Sequence, residues 1–230
     1  MKKNETIISP IAYIRTDFSE KFGIPRQSGL VESLRGRIVF LPEYRNPDAL
    51  RGIEGFSHLW LLFDFSKARG GAWSPTVRPP RLGGNRRIGV FASRSPYRPN
   101  NIGLSSVRLI GVEQTESEGQ VLIVAGADLL DMTPIFDIKP YLPFTDCHTD
   151  AIGGYADEVY GKKLMPILPD ELFKDIDSDL RRAIADCLAE DPRPSYQDDA
   201  ERIYGMKFAG FEVKFRVEND SAIVVAVEKE

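Results

Sequence analysis

The sequence contains few of the residues from which metal sites and common cofactor sites are built. Its 230 residues include only two cysteines, Cys147 and Cys187, and two histidines, His58 and His148. Neither pair has the spacing of a zinc site or a disulfide framework, so no metal is expected. No strand is followed by G-x-G-x-x-G, and both G-x-x-x-x-G-K-[ST] and G-x-S-x-G are absent. The sequence therefore supports no Rossmann site, no P-loop and no serine-hydrolase elbow.

Long hydrophobic runs are also missing. No segment approaches the roughly 18 apolar residues that span a bilayer. The first residues, MKKNETIISPIAYI, are interrupted by Ser9 and Pro10 and do not have the pattern of a signal peptide. A hydrophobic content of 42 % and a charged content of 28 % are ordinary for a globular protein. We expect a cytoplasmic protein with no membrane association.

Acidic residues are absent from one long window, residues 65–112, which contains nine Lys or Arg. Because the whole chain has a formal net charge of −4, the rest of it is strongly acidic. The centre of this window, residues 76–103, is rich in Pro and Gly and is therefore predicted to form loops. Arginines on stiff loops suit a shaped ligand that carries phosphate or carboxylate. Ordinary solvated arginines are the alternative interpretation.

Short apolar runs separated by turn residues predict a mainly β structure in the first part of the chain. The predicted strands are residues 7–14, 36–41, 58–65, 104–112, 120–127 and 135–139, and residues 113–119 form a hairpin turn. Both faces of 58–65 are largely apolar, so we expect this strand to be buried on both sides. With no helix between strands, the pattern favours a β-barrel or another compact all-β unit.

The composition changes after about residue 150, and we expect two domains, 1–150 and 151–230. In the second, Pro169 is predicted to begin a helix that ends before Pro192, with an apolar stripe from Leu172 to Leu188. Residues 204–208, 211–218 and 221–227 are predicted strands, and Asn219-Asp220 is a predicted hairpin turn. The second domain is thus a small α+β unit.

Four loop clusters are expected to converge at one end of the first domain: 25–27, 65–66, 93–101 and 128–133. Together they supply backbone amides, guanidinium groups, an aromatic ring and carboxylates. This set suits a ligand that contains a nucleoside. Turn capping by Asp128 and Asp131 is the alternative interpretation of those two carboxylates.

Long motifs at these positions resemble the TsaA-like (YaeB/VirR) family, whose bacterial members include tRNA (adenine-N(6))-methyltransferases. They are PRQ (25–27), SHLWLLFDF (57–65), PTVRPPRLGGNRRIGVFASRS (75–95), RPNNIGLS (98–105), DLLDMTPIFDIKPYLPF (128–144) and DPRPSY (191–196). The resemblance implies a single-sheet β-barrel that binds S-adenosylmethionine, and a homodimer with the cofactor near the subunit interface. The implied reaction methylates the 6-amino nitrogen of N(6)-threonylcarbamoyladenosine beside the anticodon of threonine tRNA.

The resemblance also implies roles for particular residues. The implied cofactor contacts are Arg26, Gln27, Ser28, Phe65, Ser66, Arg94, Leu104, Asp128, Leu129, Leu130 and Asp131. In catalysis, Arg94 or Arg98 would stabilise developing negative charge on the acceptor nitrogen, because arginine is always charged. Asp128, Asp131 or Tyr97 would take the proton. The expected contacts to RNA phosphates are Arg78, Arg81, Arg86 and Arg87.

Two positions depart from the family pattern, since many members have Gly in place of Met132 and Pro in place of Asn101.

Two other functions stay open at this point. One is a non-catalytic RNA-binding β-barrel, and the other is a methyltransferase that acts on a different anionic substrate.

Overall fold

The computed structural model describes residues 6–68, 73–79, 82, 86–158, 160–193 and 199–230. The strands are β1 (Ala12–Thr16), β2 (Arg35–Phe40), β3 (His58–Asp64), β4 (Thr76–Val77), β5 (Ile88–Gly89), β6 (Ile102–Thr115), β7 (Gly119–Ala125), β8 (Thr133–Pro140), β9 (Met165–Ile167), β10 (Tyr204–Phe208), β11 (Phe211–Glu218) and β12 (Ser221–Lys229). The α-helices are α1 (Pro143–Asp146) and α2 (Ser178–Ala189).

Six strands close into one barrel in the order β1-β2-β7-β6-β3-β8. Every neighbouring pair in this barrel is antiparallel. Closure pairs both edges of each strand, so the barrel has no unpaired edge. The expectation of a mainly β fold with a single-sheet barrel is confirmed.

The barrel has one interior, and this corrects the prediction for β3. Leu59, Leu61 and Phe63 are buried inside the barrel, whereas Trp60 and Leu62 on the outer face are only partly buried. The expectation that this strand is buried on both sides is wrong for these two residues. Tyr141 and Asp146 contact Trp60 but leave it partly exposed, while Asp64 at the end of the strand is buried. The first strand also begins later than predicted, at Ala12, and Ile7 is exposed.

The C-terminal strands form a second sheet in the order β10-β11-β12-β9, in which β9 runs parallel to β12. The predicted turn between β11 and β12 is confirmed, since Asn219 and Asp220 have φ of 47° and 61°. Two successive residues with positive φ form the type I′ turn that matches the twist of a hairpin.

Helix α2 begins at Ser178, nine residues after the predicted start at Pro169. The carboxylate of Asp177 accepts hydrogen bonds from the amides of Asp179 and Leu180, which caps the first turn of the helix. Asp170–Leu172 forms a separate 3₁₀ turn instead. Phe173 is nevertheless buried in the same core as α2, so the apolar stripe marks a shared core and not one helix.

The described residues form two hydrophobic cores, one inside the barrel and one between α2 and the C-terminal sheet. The second core also receives Phe18, Val31 and Leu34 from the first part of the chain. The ring centroid of Phe18 lies 4.9 Å from that of Phe208. The segment between β1 and β2 therefore belongs structurally to both units, and the domain boundary at residue 150 stays a prediction.

Candidate functional site

Three of the four predicted loop clusters meet at a group of hydrogen bonds. Arg94 Nη1 donates to Gln27 Oε1 at 2.5 Å, and Ser105 Oγ donates to Asp128 Oδ1 at 2.6 Å. The backbone of Ser28 also hydrogen-bonds to the Asp128 carboxylate, and the charge of Arg94 acts on it. We call Gln27, Ser28, Arg94, Ser105 and Asp128 the polar cluster. It places a guanidinium, an amide and a carboxylate together, as the sequence predicted.

The environment of Asp128 is electrostatically unusual. Burial raises the pKa of this carboxyl, since it disfavours the charged form. The hydroxyl of Ser105, the backbone bonds and the charge of Arg94 act in the opposite direction. Asp128 is thus a partly buried acceptor whose hydrogen-bond donors partly compensate for its loss of water.

The loop that carries Arg94 is held by its own polar groups. Arg98 Nη1 donates to the carbonyl oxygen of Ser93 at 3.0 Å, and Asn101 Nδ2 donates to that of Pro96 at 2.6 Å. Arg98 therefore braces the loop, whereas Arg94 is exposed and points its donor toward Gln27. The side chain of Tyr97 is exposed on the same loop.

The fourth cluster, residues 65–66, is attached to this loop through the backbone. The amide of Phe65 donates to the carbonyl oxygen of Asn101 at 2.8 Å, and its ring lies edge-on to Phe63 with centroids 4.9 Å apart. Gly103 makes this packing possible, because a Cβ there would lie 2.2 Å from the Phe63 ring. Ser66 is exposed and begins a 3₁₀ turn. Leu104, half exposed on the outer face of β6, pairs with Leu62 of β3.

Residues 129–132, which follow Asp128, contact β1 and the two hydrophobic cores and not the polar cluster. Leu129 is buried in the barrel core, and its carbonyl oxygen accepts a bond from Thr16 Oγ1 at 2.9 Å. Asp131 Oδ1 accepts from the amide of Thr16 at 3.0 Å, as in the capping interpretation. Leu130 packs against the C-terminal core. Met132 has φ of 60°, so the turn adopts the left-handed conformation at a residue other than glycine.

Arg26 is directed toward the C-terminal unit. Its Nη2 donates to the carbonyl oxygens of Asp191 and Arg193, at 3.3 Å and 2.7 Å. The assignment of Arg26 as a cofactor contact stays a prediction.

The predicted RNA contacts are spread over the surface of residues 65–112, which we call the acid-free window. Arg78 is exposed, Arg87 Nη1 lies 3.4 Å from Thr76 Oγ1, and Arg86 forms an ion pair of 2.9 Å with Glu158. Arg81 lies outside the described residues. The strand pair β4–β5 ties this region together, which the Pro and Gly content of the sequence did not predict.

Sequence reasoning missed one residue of the polar cluster and one exposed residue near it in the chain. Ser105 donates to Asp128, and its inward position followed from the alternation along β6. Phe91, in the acid-free window, is 76 % exposed, although large apolar side chains are usually buried. The signal for Phe91 was an isolated aromatic residue between arginines.

Two classes of site are not found in the part of the chain that the structure describes. No group of three or more His, Cys, Asp or Glu side chains is arranged to hold a metal ion. Within the same residues, no helix has both the length and the apolar composition needed to cross a membrane.

Family comparison gives a consistent result over nearly the whole chain. The family model described as the tRNA-methyltransferase O N-terminal domain matches residues 13–147. The TrmO C-terminal domain matches residues 170–230.

Individual relatives are similar over most of their own length. The Escherichia coli (strain K12) tRNA (adenine(37)-N6)-methyltransferase is 42 % identical over 226 residues, which cover 95 % of this chain and 96 % of the relative. A Pseudomonas aeruginosa PAO1 protein, RcsF, whose name assigns it provisionally to the S-adenosylmethionine-dependent methyltransferases, is 44 % identical over 90 % of both chains. A crystal structure of TrmO from P. aeruginosa superposes with a TM-score of 0.81 at 35 % identity and covers 100 % of both chains.

Proposed function

The chain belongs to the tRNA-methyltransferase O family, and from this premise we propose that it methylates N(6)-threonylcarbamoyladenosine beside the anticodon of threonine tRNA. It is an S-adenosylmethionine-dependent tRNA (adenine-N6)-methyltransferase, as its relatives are named. The threonylcarbamoyl group and the choice of threonine tRNA are the finer parts of the proposal.

The observation that carries the proposal is the polar cluster. S-adenosylmethionine has an adenine, ribose hydroxyls, an ammonium and a carboxylate. The donors and acceptors of the cluster fit this set, because the carboxylate of Asp128 accepts hydrogen bonds and the guanidinium of Arg94, which donates to Gln27, is a group that suits a carboxylate of the ligand. Phe65 and Leu104 are partly exposed apolar residues on segments adjoining the cluster in the chain. When bound, the cofactor supplies an electrophilic methyl group.

The residues of the chain have two tasks during transfer. One is to stabilise the negative charge that develops on the acceptor nitrogen as it loses its proton. We assign this task to Arg94, since Arg98 already donates to the carbonyl of Ser93 and braces the loop. The other task is to accept the proton. Of Asp128, Asp131 and Tyr97, we assign this task to Asp128, because its carboxylate lies in the polar cluster with Arg94, whereas the carboxylate of Asp131 accepts a hydrogen bond from the amide of Thr16.

The remaining proposals concern partners and location. Arg78, Arg86 and Arg87 are accessible on the surface of the acid-free window, which supports contact with tRNA phosphates. Leu104 and Ile110 are half exposed on the outer face of β6, which supports association of two copies near the cofactor. A tRNA substrate supports a cytoplasmic location.

The test is nucleoside mass spectrometry of threonine tRNA after incubation with purified protein and S-adenosylmethionine. We expect a gain of one methyl group on threonylcarbamoyladenosine, and none on tRNA that carries unmodified adenosine at that position. Cofactor binding without any methyl gain would leave a different anionic substrate as the alternative. If tRNA binds but the cofactor does not raise the melting temperature, the protein is a non-catalytic RNA-binding barrel.

A further inference from the structure

Phe91 is an exposed aromatic residue on a firmly held turn. It is the central residue of the 3₁₀ turn Val90–Ala92, and 76 % of it is accessible to solvent. Its neighbour Val90 is buried, and the amide of Val90 donates to the carbonyl oxygen of Pro75 at 2.9 Å. The backbone on the N-terminal side of Phe91 is therefore anchored.

The C-terminal side of the turn is anchored as well. Both the amide and the hydroxyl of Ser93 donate to the carbonyl oxygen of Val90, at 3.2 Å and 2.8 Å. Arg94, the next residue, is bonded to Gln27 in the polar cluster. Phe91 is thus presented to solvent by a backbone that is already ordered, so a ligand that covers it loses little entropy in ordering the turn.

We propose that Phe91 stacks on an unpaired base of the tRNA substrate, a contact that rests on the proposed function. Proteins that bind single-stranded RNA loops combine cationic side chains for phosphates with aromatic rings for bases. The acid-free window supplies the cations, with Arg87 and Arg94 in the same stretch of chain. An exposed ring three residues from a guanidinium in the candidate site matches this combination.

Charge argues against a second copy of the chain as the partner. A two-fold symmetric contact centred on this turn would bring the arginines of one copy against the same arginines of the other. The window itself contains no Asp or Glu to offset that repulsion, and Glu158, which pairs with Arg86, offsets only part of it. An anionic RNA gains from the same charges.

The experiment compares Phe91→Ala and Phe91→Trp with Phe144→Ala. Phe144 is a matched control because it is also largely exposed, at 86 %. It lies in α1, outside the acid-free window and close in the chain to Asp146. We expect Phe91→Ala to weaken threonine tRNA binding about 5- to 100-fold and Phe91→Trp to retain it, as removal of a base-stacking ring does elsewhere. The dependence of tRNA affinity on salt should keep its slope, because no charge is removed. Phe144→Ala should bind tRNA as the wild type does.

Three results would overturn the proposal while the wild type still methylates tRNA. Phe91→Ala could bind tRNA with unchanged affinity. It could instead lose S-adenosylmethionine affinity in calorimetry, which would make Phe91 a cofactor contact. It could also change the sedimentation of the protein with tRNA affinity intact, which would make it a subunit contact. A wild type that neither binds nor methylates tRNA would remove the proposed function first, and this inference with it.

Discussion

Arg26 Nη2 donates a hydrogen bond of 2.7 Å to the carbonyl oxygen of Arg193, which lies 167 residues further along the chain. A second bond of 3.3 Å reaches the carbonyl oxygen of Asp191. The residue after Arg26 is Gln27, which accepts from Arg94 in the polar cluster. The segment that follows α2 therefore helps to hold one side of the candidate cofactor site.

Replacement of Arg26 should affect stability and cofactor binding together. Arg26→Ala removes donors to two carbonyls and should lower the free energy of unfolding by about 1–3 kcal/mol. S-adenosylmethionine affinity should fall as well, because loop 25–28 loses its support. Arg45→Ala is the control, since Arg45 also donates to two carbonyls, those of Phe40 and Ser117, at 2.9 Å each. Urea unfolding and calorimetry measure the two effects, and equal cofactor affinities in both variants would contradict the assigned role of Arg26.

Arg94 and Arg98 should behave differently although they lie in one loop. Arg94→Ala removes an exposed side chain, so we expect loss of methylation with a change in unfolding free energy within about 0.5 kcal/mol. Arg98→Ala removes the bond to the Ser93 carbonyl and should destabilise the protein more. Single-turnover methylation and thermal unfolding of both variants give the comparison. Normal turnover by Arg94→Ala would show that Arg98 or another residue stabilises the acceptor.

The raised pKa of Asp128 leads to a pH dependence of stability with a definite sign. A carboxyl whose pKa is higher in the folded state favours folding below its unfolded pKa of about 4 and loses this contribution as the pH rises through the folded pKa. Asp128→Asn should therefore gain stability relative to the wild type as the pH rises above the unfolded pKa of about 4. Urea unfolding at several pH values measures the difference. Ser105→Ala removes a donor to the charged form and should make the loss with pH steeper than in the wild type. A difference between Asp128→Asn and the wild type that does not vary with pH would contradict the account.

Gly103 and Gly111 lie on the same strand and offer a matched pair. A Cβ at Gly103 would lie 2.2 Å from the buried Phe63 ring, whereas a Cβ at Gly111 meets nothing within 4 Å. Gly103→Ala should destabilise the protein by about 1–3 kcal/mol through overpacking, and should weaken cofactor binding because Phe63 packs on Phe65. Gly111→Ala should change stability by less than about 0.5 kcal/mol. Equal melting temperatures for the two variants would show that the Phe63 ring can move aside.

The ion pair between Arg86 and Glu158 predicts a gain of tRNA affinity. Both side chains are more than half exposed, so the pair contributes at most about 1 kcal/mol and breaks readily. Glu158→Gln should free Arg86 and raise tRNA affinity by up to about fivefold, with a steeper salt dependence. Arg86→Ala should lower the magnitude of the salt slope by about one. Glu113→Gln, which removes the same charge beside Arg37, is the control and should leave tRNA binding unchanged. An unchanged slope in Arg86→Ala would exclude it as a phosphate contact.

Local patterns were enough to predict most of the elements. Short apolar runs bounded by turn residues identified β6, β7 and the C-terminal strands. The sequence predicted a turn at Asn219-Asp220 because these residues tolerate positive φ. It did not predict where α2 begins. The choice between Pro169 and Asp177 as the residue before the helix depends on which side chain caps the backbone amides.

The sequence by itself determined the barrel strands, the acid-free window and the loops that carry the site, because periodicity, charge and turn chemistry are local properties. Only the tertiary structure decided that the outer face of β3 is partly covered, that Ser105 donates to Asp128, and that Arg26 reaches the segment after α2. The residues that make these contacts lie 23 to 167 positions apart in the chain. Such contacts follow from barrel closure and from the packing of two cores against a shared segment, which no local pattern encodes.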